Sequence, residues 1–366
     1  MDTSMVPSET PSLQAAAPEA AAPETTPGTD AVGSAAIVIA PPARRRRRFA
    51  VLYLLLGLFV VFGSFAGWYL ITRKPITALP LPAITQQPMP KYLFSVYGPT
   101  KPTGIAVTSD GSRIYVTDPG GSGGLMIFDG QGRKVADVSV PDSFPGDHVM
   151  VYVATDPATG DIYVSDRPAG AIWIFSGDGA FRREFEPDQQ LNGWQPLGIA
   201  FGPDGNLYVT DLSGPYHRVE VVTKDGKLVR TIGERGQMNF PNGVAVDATG
   251  RVFVTDSNDG RLLVFGQDGR RVGLIARGQK QGELGLPRGI AIDDQGLVYV
   301  VDMTAHQVQV YAQMATDEST PRFLGHVGKE GSDDGDFLFP NGVAVDARAR
   351  IYVTDQVNDR VQVWSY

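Results

Sequence analysis

No cysteine occurs in the 366 residues, which excludes disulfide staples, thiol catalysis and every cysteine-ligated metal centre. Histidine is almost as scarce, with four copies, His148, His217, His306 and His326. A site of three convergent imidazoles would therefore use nearly all of them. No basic residue precedes Arg44, and no stretch beyond residue 72 sustains a helical period. The first absence marks residues 1–43, built from Ala, Pro, Thr and Ser, as a tail with too little apolar surface to offset its ordering entropy. The second points to an all-β domain.

What is present divides the chain unevenly. Five arginines, 44–48, precede an uncharged run, "FAVLYLLLGLFVVFGSFAGWYLI", over residues 49–71. As a helix it would reach about 34 Å, enough to cross a hydrocarbon layer of about 30 Å. The 43 residues ahead of the basic run are too many for a cleaved signal peptide, so an uncleaved anchor is expected. The arginine excess before the span predicts a cytoplasmic N-terminus and an extracytoplasmic remainder. Prolines 75, 80, 82, 88 and 90 make 72–91 a semi-rigid spacer. The formal net charge is −8, and beyond Lys74 there are 25 Lys+Arg against 35 Asp+Glu. So acidic a domain is a poor binder of phosphate chains, and no nucleic-acid partner is expected.

From residue 92 the sequence repeats. A strand closing on aspartate recurs as "IYVTD", "IYVSD", "LYVTD", "VFVTD", "VYVVD" and "IYVTD", ending at Asp118, Asp166, Asp211, Asp256, Asp302 and Asp355. A strand opening on Pro-x-Gly precedes five of them, as in "PTGIAV" and "PNGVAV"; a third follows, as in "RLLVF", and turns such as "GQDGR" lead to a fourth. Alternating β-branched and polar residues between Gly/Asp/Asn turns read as antiparallel hairpins. Six units of four short strands predict a six-bladed β-propeller. The sixth unit stops after three strands at Tyr366, whereas an orphan strand, "PKYLFSVYG", precedes the first unit. That strand is expected to complete the last blade and close the ring, which removes open edges. An open β-solenoid would instead need capping ends.

The Pro-x-Gly openings, the "YVTD" strands, "NDGRLLVF", "NDRVQVW" and the inter-blade run "GKEGSDDGDFLFPNGVAVD" resemble NHL repeats over residues 92–366. The resemblance implies the same six-bladed fold. It leaves activity open, because relatives include peptide-amidating lyases, lactonase-like hydrolases, and RNA and protein binders. Unit two departs from the pattern, with "HVMVYVATDPATGD" in place of Pro-x-Gly.

In such blades the links from strand four to the next strand one share a face with the links from strand two to strand three. This channel-mouth face is expected to carry the ligand contacts: Asn242, Arg288 and Asn341 at the x of Pro-x-Gly, with Trp194, Tyr216 and His306 on the rim. The terminal aspartates read as turn caps rather than a metal ring, since one occurs in every blade. "SDDGDF" at 332–337 lacks the later bidentate glutamate of a calcium loop. No metal, cofactor or catalytic residue is expected. The expected function is a membrane-anchored, extracytoplasmic binding or scaffolding module for a protein, peptide or envelope polymer. The alternative is a lyase or hydrolase with zinc or calcium in the channel, as the relatives imply.

Overall fold

The structure, a computed structural model, describes residues 53–61, 88–121, 123–315 and 320–366. Residues 53–61 form a helix with exposed side chains. Among the described residues no helix is long and apolar enough to cross a membrane. The expected 23-residue span is thus described only over that helix. The rest of 49–71, the tail, the arginine run and most of the spacer lie outside the described residues.

Residues 91–365 build six four-stranded antiparallel sheets, one per repeat. Five blades are continuous in sequence, over residues 105–138, 150–184, 196–232, 241–275 and 287–327. The sixth takes Pro340–Val345, Ile351–Asp355 and Arg360–Ser365, and its outer place is filled by Lys91–Tyr97. Tyr92 stands opposite Trp364 and Val96 opposite Val361. The strand missing from the C-terminal repeat is therefore supplied from the front.

Burial grades outward along each blade. The second strands are buried at all or nearly all of their positions, because a neighbouring blade covers each face. Fourth strands bury no more than two side chains each, and of Lys134–Val138 only Val138 is buried. The core is accordingly six apolar wedges, one between each pair of adjacent blades. Ile114, Val116, Tyr352 and Val363 share the wedge that joins the last blade to the first.

Two features hold the inner ring. Each Pro-x-Gly glycine lies against the neighbouring blade's backbone: a Cβ on Gly243 would sit 2.7 Å from the Arg288 carbonyl oxygen, and one on Gly289 2.7 Å from that of Asn341. Only glycine fits there. In five of the six blades the hydroxyl before the terminal aspartate then bridges to the next blade. Thr117 Oγ1 donates to the Val151 carbonyl at 2.6 Å, Ser165 Oγ to Leu197 at 2.6 Å, and Thr354 Oγ1 to Thr103 at 2.9 Å. Thr210 and Thr255 do the same toward Asn242 and Arg288. In return each accepts the N–H of the Gly-position residue in its own first strand.

Blade five breaks this ring with the buried Val301. Its seam has the same backbone approach as the blade four–five seam, so a hydroxyl there would meet the same partners. Val301→Thr should stabilise the protein by about 1 kcal/mol, from two hydrogen bonds like those of Thr255, one donated and one accepted, worth about 1 kcal/mol each, less about 0.8 kcal/mol for one methyl's burial. A denaturant midpoint below the parent's, at unchanged slope, would show that this seam is built differently.

Candidate functional site

The six terminal aspartates are buried to 1% exposure or less. Each clamps the link arriving at its own first strand: Asp118 accepts from Lys101 N–H at 2.8 Å, Asp211 from Gln195 at 2.8 Å, Asp302 from Gly285 at 2.7 Å and Asp355 from Leu338 at 2.7 Å. The role expected of them from sequence is to cap the turn that follows. Some bonds of that kind exist, such as Ser213 N–H to Asp211, but the dominant partner is the preceding link. Burial raises the pKa of Asp256, although the Asn239 N–H and Arg261 oppose it. Arg261 and Arg360 brace the same links: Arg360 binds Asp355 at 2.8 Å and the carbonyls of Asp333 and Asp336 at 2.7 and 2.9 Å. The carbonyls of the acidic 332–337 loop thus face a guanidinium.

The histidines are dispersed. His217 Nδ1 accepts from Phe240 N–H at 3.0 Å, and His306 Nδ1 from Phe339 N–H at 3.1 Å. Both phenylalanines adopt left-handed backbone, with φ of 71° and 53°, just before Pro241 and Pro340. Such a conformation costs about 1 kcal/mol or more for a non-glycine residue. Each histidine helps hold its phenylalanine there. His306, expected as a rim contact, is buried and packs on the Phe339 ring at 4.6 Å between centroids. His326 stands on an outer strand opposite Gln309.

His148 bonds Asp166 through Nδ1 at 2.7 Å and the Phe144 carbonyl through Nε2 at 2.8 Å. A carbonyl and a carboxylate together call for two donors, the protonated imidazole. Burial alone would lower its pKa, but bonding to Phe144 and Asp166 outweighs that and leaves it above the ordinary 6.5. The stability it contributes is full below pH 6.5 and is lost as pH rises through the raised folded value. Across that window His148→Gln should show a smaller fall in denaturation midpoint than the parent. Identical pH profiles would mean that the pair contributes no linkage.

The axis of the propeller holds the least symmetric feature. In blade two Met150, Val151 and Tyr152 stand where the others have Pro-x-Gly, since Met150 faces Asp166 as Pro196 faces Asp211. Tyr152 occupies the glycine place. Its hydroxyl meets the Oδ1 atoms of Asn242 and Asn341, the latter at 3.1 Å, so blade two is joined to blades four and six. A phenol has one proton, so it donates to one amide while the other presents its Nδ2 to the phenol oxygen. Burial raises the Tyr152 pKa, and the Arg288 charge opposes that. The axial cavity, lined by Tyr152 and by Gly198, Gly243, Gly289 and Gly342, measures about 40 Å³.

The structure thus brings Asn242, Arg288 and Asn341 to one mouth. Arg288 Nε contacts the Met303 sulfur at 3.4 Å, and Gln356 Nε2 donates to Thr103 Oγ1 at 3.2 Å. Trp194 does not join them: it is buried in the blade two–three wedge and stacks on Phe185. Tyr216 is half-buried on the mouth face beneath the guanidinium of Arg235, 4.3 Å from the ring centroid. Sequence reasoning missed Arg167, which lies over Phe240 at 5.4 Å, and the exposed Phe339. It also missed Tyr152, although the lost Pro-x-Gly of unit two was the available signal.

Comparison with known proteins agrees with this architecture. The NHL repeat model matches residues 238–265 and 284–311. Protein brain tumor of Drosophila melanogaster is 31% identical over 116 residues, 31% of this chain and 11% of that protein. NHL repeat-containing protein 3 of Mus musculus is 31% identical over 133 residues, 32% of this chain and 38% of that protein. The chain therefore spans well under half the length of either. Among solved structures, a streptogramin B lyase superposes with a TM-score of 0.54 at 16% identity, covering 76% of this chain and 98% of that one. Virginiamycin B lyase from Staphylococcus aureus gives 0.51 at 15%, covering 76% and 99%. At such identities the likeness is one of fold.

Proposed function

We propose that this NHL-repeat propeller is a binding module, anchored by its apolar 49–71 segment outside the cytoplasmic membrane, which engages a protein, peptide or envelope polymer on its mouth face. One observation carries the reading. The axis is closed by Tyr152 over a cavity of about 40 Å³, while the face above it gathers Arg167, Arg235, Arg288, Phe240 and Phe339. Arginine and aromatic groups are the side chains enriched at protein interfaces. A channel enzyme would need converging ligands, and three of the four imidazoles are engaged in bracing links.

The lack of cysteine permits a direct experiment. Glu234→Cys places a lone thiol on the exposed mouth face, and Asp268→Cys places one on an exposed turn of the opposite face. In intact cells both should react with a membrane-impermeant thiol crosslinker, and only position 234 should yield a defined heteroadduct. Labelling only after lysis would overturn the outward placement. Adducts from 268 alone would overturn the choice of face.

A further inference from the structure

We propose that the mouth receives a carboxylate of a bound polypeptide at Arg288, with Arg167 and Arg235 supplying the surrounding positive field. This rests on the binding-module reading and specifies the chemistry that the partner presents. The motive is a pattern of pairing. Arg218, Arg251, Arg261, Arg350 and Arg360 each bind a carboxylate of their own blade. Arg288, Arg167 and Arg235 rest instead on a thioether, a phenylalanine ring and a tyrosine ring, and among the described residues none of the three has a carboxylate partner.

All three sit on one face of a domain with more acidic than basic residues. Arg167 is in a strand two–three link, Arg235 in an inter-blade link, and Arg288 at the start of a first strand. Carboxylates to neutralise them are plentiful in the chain, yet the fold brings none to them. A guanidinium resting on sulfur or a π-face keeps its donor fork available for bidentate pairing. Arg288 is half-buried, where such a pair is stronger than on an open surface.

The floor suits one small anion. Tyr152, Asn242 and Asn341 satisfy one another and close the axis, so a ligand group can rest on the mouth without descending. Phe240 and the 38%-exposed Phe339 lie in the links that enter the blades on either side of that of Arg288, and add apolar surface to the same face for a residue next to the acid. A phosphate chain fits less well, because its affinity comes from many neutralised charges, and the cations of this face stand among the carboxylates of a net-negative domain.

The test uses the full chain and short random peptides immobilised with free or with amidated C-termini. Selected peptides should be enriched in Asp or Glu, or should require the free terminus; the two arms tell side-chain from terminal carboxylates. Binding of the selected peptides should weaken about tenfold in Arg288→Gln, as expected for loss of a charge-assisted pair, and recover in part in Arg288→Lys. Arg167→Gln, on an exposed link, should weaken it less and gives a second readout if Arg288→Gln does not fold. Neutral or basic peptides selected on the mouth would overturn the carboxylate and leave the binding-module reading standing. Enrichment unaffected by either substitution would overturn it too. Tighter binding of hexauridylate than of acidic peptides would assign the cations to phosphate.

Discussion

Deleting Lys91–Tyr97 should abolish cooperative unfolding. This strand is the last blade's outer member, paired along Arg360–Ser365 from Lys91 opposite Ser365 to Tyr97 opposite Arg360. It carries Val96, 1% exposed, into the wedge between blades six and one, where Phe94 packs beside it. Tyr92 joins the blade five–six wedge and meets the Trp364 ring edge-on at 6.0 Å. Full burial of side chains of this size is worth roughly 1.5–3 kcal/mol each, so three partly to fully buried ones contribute about 3–6 kcal/mol. That is comparable with the whole stability of many domains, about 5–15 kcal/mol. The deletion also bares an edge strand, which invites pairing between molecules. Fluorimetric melting should show a broad or absent transition and concentration-dependent aggregation, with partial rescue by a peptide of the same sequence. A truncated chain that melts with the parent's midpoint and cooperativity would remove the basis of ring closure.

The architecture was legible because each blade repeats the same physics. Pro-x-Gly, "YVTD" and the Gly/Asp turns each report a local need: a close backbone approach, an inter-blade bridge, a tight reversal. Six phased copies made the strand order readable, and the missing strand could be found by counting. The site was less legible because its features are departures from the repeat. Trp194 looked like a rim residue because its link lies on the mouth face, but apolar burial turned it inward onto Phe185. His306 looked available because it lies in a loop, and the left-handed Phe339 claimed its imidazole. Tyr152 could be noticed only as an irregularity. No local rule tells a strand that its side chain will reach across an axis to Asn242 and Asn341, respectively 90 and 189 residues away. Cation–π contacts such as Arg167 on Phe240 are likewise products of the ring geometry.

Tyr152→Ala should cost about 3 kcal/mol, the lower part of the range for truncating a large buried ring. The lower part applies because the axis lies beneath the mouth, so water can enter the emptied space and hydrate the freed amides. Tyr152→Phe separates the two contributions. It keeps the ring's packing and removes the hydroxyl, leaving the buried Asn242 and Asn341 amides one partner short, which should cost about 1–3 kcal/mol. If the phenol is the tie among blades two, four and six, the cost of Tyr152→Phe must shrink when Asn242 and Asn341 are both replaced by alanine. A double-mutant cycle should then return a coupling of about 0.5–3 kcal/mol. Zero coupling would mean that the hydroxyl is held by something else and that the axial floor is not a unit. Because Arg288 is a charge acting on Tyr152, the same cycle reaches the mouth. Tyr152→Phe should leave peptide affinity near the parent's if the carboxylate rests on Arg288 alone, whereas Tyr152→Ala should weaken it by unseating Asn242 and Asn341 beside the guanidinium. Equal losses in both variants would make the phenol hydroxyl itself a ligand contact.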